Sequence, residues 1–278
     1  MALIRVDYFS PALMRTVTVN AILPTDKKLF GADAPTEPKK YKTLYLLHGI
    51  FGNYTDWVTG TRIQAWAQDK DLVVIMPSGE NKFYVDNPKA GDMFGKFLGE
   101  ELVEFTRRTF PLSDKREDTF IGGLSMGGYG AMRNGLKYHD TFGAICAFSS
   151  AFILEGVYAS EYQEGGWSMN NRYYYESIFG DIDKLQGSDM DYYALAKDVA
   201  EKGTNIPKIY MACGTEDFLI EANNKFSEYL TELGIEHTYE TAPGVHNWVF
   251  WDTYINKALE WLPLGEAEAG ISSGNVKA

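Results

Sequence analysis

Ser125 stands in the stretch TFIGGLSMGGYGAM, residues 119–132, with Gly123 two places before it, Gly127 two places after, and then Gly128 and Gly130. A serine hydroxyl is a weak nucleophile. It needs a base to take its proton and a third group to orient that base. The stretch begins as a buried strand and continues as a helix, so the serine falls at the apex of a sharp turn with its hydroxyl above the sheet edge. Cβ atoms at 123 and 127 would collide in so tight a turn, which accounts for the flanking glycines. The helix starting near Met126 aims a backbone N–H at any oxygen that becomes negative beside the serine.

Four histidines are available as the base. After a strand–turn–helix serine of this kind the expected chain order is serine, acid, histidine. His48 and His139 stand in the wrong place, and His237 opens a predicted strand. His246, in APGVHNW, lies in the loop between the last strand and the last helix, where the base belongs. The acid should follow the preceding parallel strand. KIYMACGTEDFLIEAN ends that strand near Gly214 and places Glu216 and Asp217 in the loop. Asp217 is the choice, facing the His246 loop, and Glu216 is the alternative. A second oxyanion donor should come from LLHGIFGNYTDW, residues 46–57, a glycine-rich loop after a buried strand. The N–H of Ile50 is expected there, with Phe51 second. His48 is expected to brace this loop by hydrogen bonding, and Asp56 and Trp57 to help shape the pocket.

These residues require an ordered scaffold. Residues 3–8 and 14–23 alternate with period two, as half-exposed antiparallel strands do. Apolar runs at 43–48, 72–77, 118–123, 142–149 and 206–214 predict strands, most of them buried on both faces. A further strand is expected at 236–242. Helical spacing appears at 61–69, 93–110, 126–138, 219–233 and 248–262. Strands alternating with helices predict an α/β fold with a mostly parallel central sheet and helices on both faces. Residues 152–205 are longer than one crossover helix needs and rich in aromatics, among them Tyr162, Trp167, Tyr173 and Tyr192. They predict a cap over the serine that lines a pocket for a small or ring-bearing substrate. Residues 1–264 are expected to form the one domain. The small, polar stretch 265–278 is expected to be disordered.

Composition narrows the partners. The 278-residue chain carries a net charge of −12, which argues against binding nucleic acid or an anionic membrane surface. The two cysteines, Cys146 and Cys213, lie in apolar runs and read as buried free thiols. The first residues lack the continuous apolar core of a secretion signal, and no run reaches the ~18 apolar residues of a membrane span. A cytoplasmic location is the expectation. With no metal-ligand spacing and no dinucleotide motif at the start of a βαβ unit, neither metal nor cofactor is expected.

Four blocks, YLLHGIFGNYTDW, FIGGLSMGGYGAM, CGTEDFLIEANN and GVHNWVFWD, occur in that order. Together they resemble the esterase D family of α/β-hydrolases, in particular its small bacterial tributyrin-esterase branch, which is related to acetyl and feruloyl carbohydrate esterases. The resemblance spans most of residues 3–263. It implies an α/β-hydrolase fold and hydrolysis of small carboxylic esters, short-chain or aryl, through an acyl-enzyme. It carries over Ser125 as nucleophile, His246 as base, Asp217 as its partner, and the N–H groups of Ile50 and Met126 as oxyanion donors. S-formylglutathione-type thioesterases belong to the wider family, and an acyltransferase could use the same groups. Trp167, Trp57 and Phe51 are the expected substrate contacts.

Overall fold

The computed structural model describes residues 1–27, 39–165 and 168–267. The chain opens with two antiparallel strands, β1 (Ala2–Ser10) and β2 (Arg15–Leu23), then enters β3 (Lys42–Leu47). Helices α1 (Asp56–Gly60) and α2 (Ile63–Asp69) lead to β4 (Leu72–Pro77). The following loop carries a short pair, β5 (Asp86–Asn87) and β6 (Asp92–Met93). The helix predicted at 93–110 is interrupted: α3 (Phe94–Lys96) and α4 (Leu102–Thr109) flank a π-helical turn at Phe97–Glu101. Then come β7 (Thr119–Leu124), α5 (Met126–Lys137) and β8 (Ala144–Phe148).

The segment after β8 holds three helices, α6 (Leu154–Tyr158), α7 (Arg172–Phe179) and α8 (Tyr192–Lys202). The chain closes with β9 (Lys208–Gly214), α9 (Ile220–Glu232), β10 (His237–Ala242) and α10 (Trp248–Trp261). Residues 268–278, most of the stretch expected to be disordered, lie outside the described residues.

One eight-stranded sheet runs in the order β1-β2-β4-β3-β7-β8-β9-β10. Strands β4, β3, β7, β8, β9 and β10 are parallel to their neighbours in that run, and β1 and β2 join antiparallel at one edge. Alternate residues of a strand point to opposite faces. Tyr45, Val73, Ile121, Ile145 and Ile209 accordingly join the core on the face covered by α4, α5, α8 and α9. Leu44, Val74, Phe120, Cys146 and Tyr210 join the core beneath α1, α2 and α10. Burial on both faces is why the central strands are continuous apolar runs. The result is the mixed α/β architecture expected from the sequence.

The parallel run brings the carboxyl ends of β3, β7, β8, β9 and β10 to one side of the sheet. Open α/β sheets bind their ligands at this end. The loops leaving these strands contain His48, Ser125, Ser149, Asp217 and His246 respectively.

Candidate active site

Ser125 joins β7 to α5 with φ 54° and ψ −117°. A non-glycine residue there is strained, and such strain persists only where the surroundings hold it. Ser125 is held three ways. Its N–H donates to Phe148 O at 2.9 Å, and its carbonyl accepts from Tyr129 N–H at 3.1 Å and Ala151 N–H at 2.9 Å. Close approach explains the next glycine: a Cβ on Gly127 would stand 2.5 Å from Leu47 O.

The turn places Ser125 Oγ 3.0 Å from His246 Nε2, and His246 Nδ1 2.8 Å from Asp217 Oδ2. The other Asp217 oxygen accepts the N–H of Leu219 at 2.9 Å. Burial pushes the Asp217 carboxyl up, but hydrogen bonds from His246, Leu219 N–H and Ser149 outweigh it and hold the group below the ordinary carboxylate value. An ionised Asp217 accepts only, so Nδ1 carries the imidazole hydrogen and Nε2 is left to accept from Ser125. Glu216 does not enter this chain. Its side chain is exposed, and Oε2 accepts the Gly244 N–H at 2.5 Å, bracing the loop that leads to His246.

Met126 is the first residue of α5, so its N–H has no acceptor within the helix. Gly49 packs against the serine turn: a Cβ built there would lie 2.7 Å from Leu124 Cδ1 and 3.5 Å from Ser125 Cβ. The Phe51 N–H is engaged elsewhere, donating to Asn81 Oδ1 at 2.8 Å. His48 braces the same loop. Its Nε2 accepts the Gly79 N–H at 2.8 Å, Nδ1 faces Gly49 O at 2.6 Å, and Tyr84 Oη donates to the His48 carbonyl at 3.0 Å. Burial pushes the His48 imidazole below its ordinary value, against the opposing pull of Gly49 O and Asp56.

The three residues expected to contact substrate fall in different places. Trp57 needs correction: it is 1% exposed, packs between Phe148 and Trp248, and donates its indole N–H to Leu47 O at 2.9 Å. It is a core residue under the loop, with no surface to offer a pocket. Phe51 is exposed. Trp167 lies outside the described residues. Phe218, which the sequence reading passed over, places an exposed ring 4.7 Å from the His246 imidazole. Its place directly after Asp217 was the signal available.

The cap divides its aromatics between two tasks. Phe179 and Tyr192 are buried and pack with Phe83, Tyr129 and Phe226 of the main fold and with Phe152, and Tyr175, also buried, packs on Phe179. Tyr173 and Tyr174 instead line a cavity of about 650 Å³ with Asn81, the residue that holds the Phe51 N–H. The cap is fastened to α5. Arg133, fully buried, reaches Asp189 Oδ2 at 2.8 Å, and Tyr129 Oη donates to Met190 O at 2.6 Å. Among the described residues, no group of three or more His, Cys, Asp or Glu side chains could hold a metal ion.

A serine on a strained strand-to-helix turn, hydrogen-bonded to a histidine and through it to an acid at the carboxyl end of a largely parallel sheet, is the architecture of the α/β-hydrolases. The chain belongs to the Esterase family, whose model matches residues 10–262. It is 46% identical over 266 residues to an acetyl esterase of Caldicellulosiruptor saccharolyticus, covering 94% of this chain and 98% of that one. Among solved structures it is similar to the fluorophosphonate-binding serine hydrolase FphF of Staphylococcus aureus, at 31% identity and a TM-score of 0.83, covering 95% of this chain and 99% of that one. It is likewise similar to the S-formylglutathione hydrolase FrmB of the same organism, at 31% identity and a TM-score of 0.81 with the same coverage. The protein is a serine carboxylesterase acting on small ester substrates. Among the described residues, no helix is long and apolar enough to cross a membrane.

Proposed function

We propose that Ser125 is the nucleophile, His246 the general base and Asp217 its partner, with the N–H groups of Ile50 and Met126 as the oxyanion hole. The observation that carries this reading is the unbroken chain Ser125 Oγ–His246 Nε2, 3.0 Å, and His246 Nδ1–Asp217 Oδ2, 2.8 Å, at the start of α5. Ser125 Oγ bonds to the ester carbonyl carbon while its proton passes to His246 Nε2. The carbonyl oxygen takes the negative charge between the two N–H groups. The intermediate collapses, the C–O bond to the alcohol breaks, and His246 returns the proton to the leaving oxygen. Water then attacks the acyl-enzyme, giving its proton to His246, and the acid leaves with Ser125 restored. None of these steps requires a cofactor.

The exposed ring of Phe218, 4.7 Å from His246, supports short-chain acyl or aryl esters over long lipid chains. The acetyl esterase relative agrees with the small acyl group. Two buried free thiols without a disulfide support a reducing, cytoplasmic setting.

The test is Ser125→Ala combined with fluorophosphonate labelling and a substrate panel. The panel holds p-nitrophenyl esters of rising chain length, acetylated xylan, methyl ferulate and S-formylglutathione. The alanine variant should keep its fold, take no label and lose nearly all hydrolysis. Label on another residue, or retained activity, defeats the assignment. Faster turnover of the thioester than of any oxygen ester would move the substrate reading to the thioesterase side.

A further inference from the structure

Strand β1 lies at one end of the eight-stranded sheet and, among the described residues, pairs with β2 alone. Its outer edge is a row of backbone N–H and C=O groups open to another strand. The usual protections of such an edge are missing. The pairing with β2 runs without a bulge from Ala2↔Leu23 to Ser10↔Arg15, the strand holds neither proline nor lysine, and its 9 residues are many for an edge. Its two charges, Arg5 and Asp7, are opposite in sign and so do not repel a second copy. Side chains alternate along the strand. Ala2, Val6 and Tyr8 pack on the core, while Leu3, Arg5, Asp7 and Phe9 share the other face and are exposed.

That face is complementary to itself. In a two-fold antiparallel pair of β1 strands centred on Val6, Arg5 stands opposite Asp7 of the other copy and Leu3 opposite Phe9, and the symmetry repeats each pair. Both charges then meet the opposite sign, and both large apolar side chains meet each other. An axis on Arg5 or Asp7 would set like charges face to face, which is destabilising. An axis on Ile4 or Tyr8 would set Arg5 against Leu3, or Asp7 against Phe9. Within the hairpin Arg5 and Asp7 stand opposite Asn20 and Thr18, both uncharged, and their own contact is a 3.5 Å pair between exposed side chains. We propose that two copies of this chain pair through β1, antiparallel about Val6, into a dimer whose sheet runs unbroken across the two-fold axis.

Sedimentation velocity of the full chain across micromolar concentrations tests this, with hydrolysis of a p-nitrophenyl short-chain ester reporting the fold of each variant. The parent should sediment as a dimer. Arg5→Asp and Asp7→Arg each turn both charge pairs into like-charge pairs and should weaken the dimer about tenfold or more, with kcat/KM kept. The double variant Arg5→Asp/Asp7→Arg restores opposite signs and should recover the dimer. An equal mixture of the two single variants should form a heterodimer, because each supplies the charge the other lacks. If a single variant fails to fold, the double variant decides. A monomeric parent would overturn the proposal. So would a dimer indifferent to both reversals, or a double variant or mixture that stays monomeric.

Discussion

The ring of Phe218 lies 4.7 Å from the imidazole of His246, tilted by 50°, while 77% of the residue remains exposed. An aromatic side chain of the main fold thus stands between solvent and the base. Its open face is free to meet the apolar part of a substrate. Phe218→Ala should lower kcat/KM for butyrate or aryl esters about fivefold more than for acetate. The melting temperature should stay nearly constant, because an exposed ring contributes little to stability. An equal loss on every ester, measured side by side, would restrict Phe218 to a role at the imidazole.

Asp217 and Glu216 are neighbours with opposite surroundings. Asp217→Asn should reduce kcat by about 10⁴-fold, because the amide cannot hold the same imidazole tautomer or balance the imidazolium. Glu216→Gln loses only a loop brace to Gly244 N–H and should change kcat by less than about threefold. Steady-state kinetics on one p-nitrophenyl ester ranks the two, and the reverse order would reassign the acid.

Trp57 should behave as core. Trp57→Ala should cost about 3–5 kcal/mol in urea unfolding, the range for deleting a buried aromatic. The fraction that stays folded should keep the chain-length preference of the parent. A changed preference without loss of stability would return Trp57 to the pocket.

His48 gives the loop after β3 a pH dependence. Its imidazole is held below the ordinary value of 6.5, mainly by burial. Between that value and the lower folded one, the unfolded chain binds the extra proton and the folded chain does not. Stability is therefore intact above about 6.5 and declines as pH falls through the window. Asp217, held below 3.8, adds a separate loss at more acidic pH with the same sign. Denaturant unfolding from pH 7.5 to 5 should show the first decline in the parent, and His48→Gln should flatten it.

Much of this was legible in the chain. Apolar runs bounded by loop residues located the central strands because burial on both faces leaves nothing polar to obscure them. The serine turn was legible for a related reason: close approach of Gly127 to Leu47 O leaves glycine as the residue that fits. That the Phe51 N–H is engaged needed coordinates, since its acceptor, Asn81, stands 30 residues further along. Trp57 misled because nearness to the loop in sequence says nothing about which way an indole points. The cap helices were hidden among aromatics whose burial depends on Phe83 and Phe226, distant in the chain.

The anchoring of the cap to α5 sets a rule for exchanging parts. The cap is a single insertion between β8 and β9, so its sequence can change while the catalytic strands keep their register. Yet the helix that begins at Met126 also carries Tyr129 and Arg133, which grip Met190 and Asp189. A transplanted cap must therefore bring its own carboxylate and carbonyl to the same two points, or leave the buried guanidinium with the more distant Asp86, at 3.6 Å, as its counter-charge. A chimaera that keeps this fastening should leave α5 as it is, whereas one that omits it disturbs the helix that begins beside Ser125.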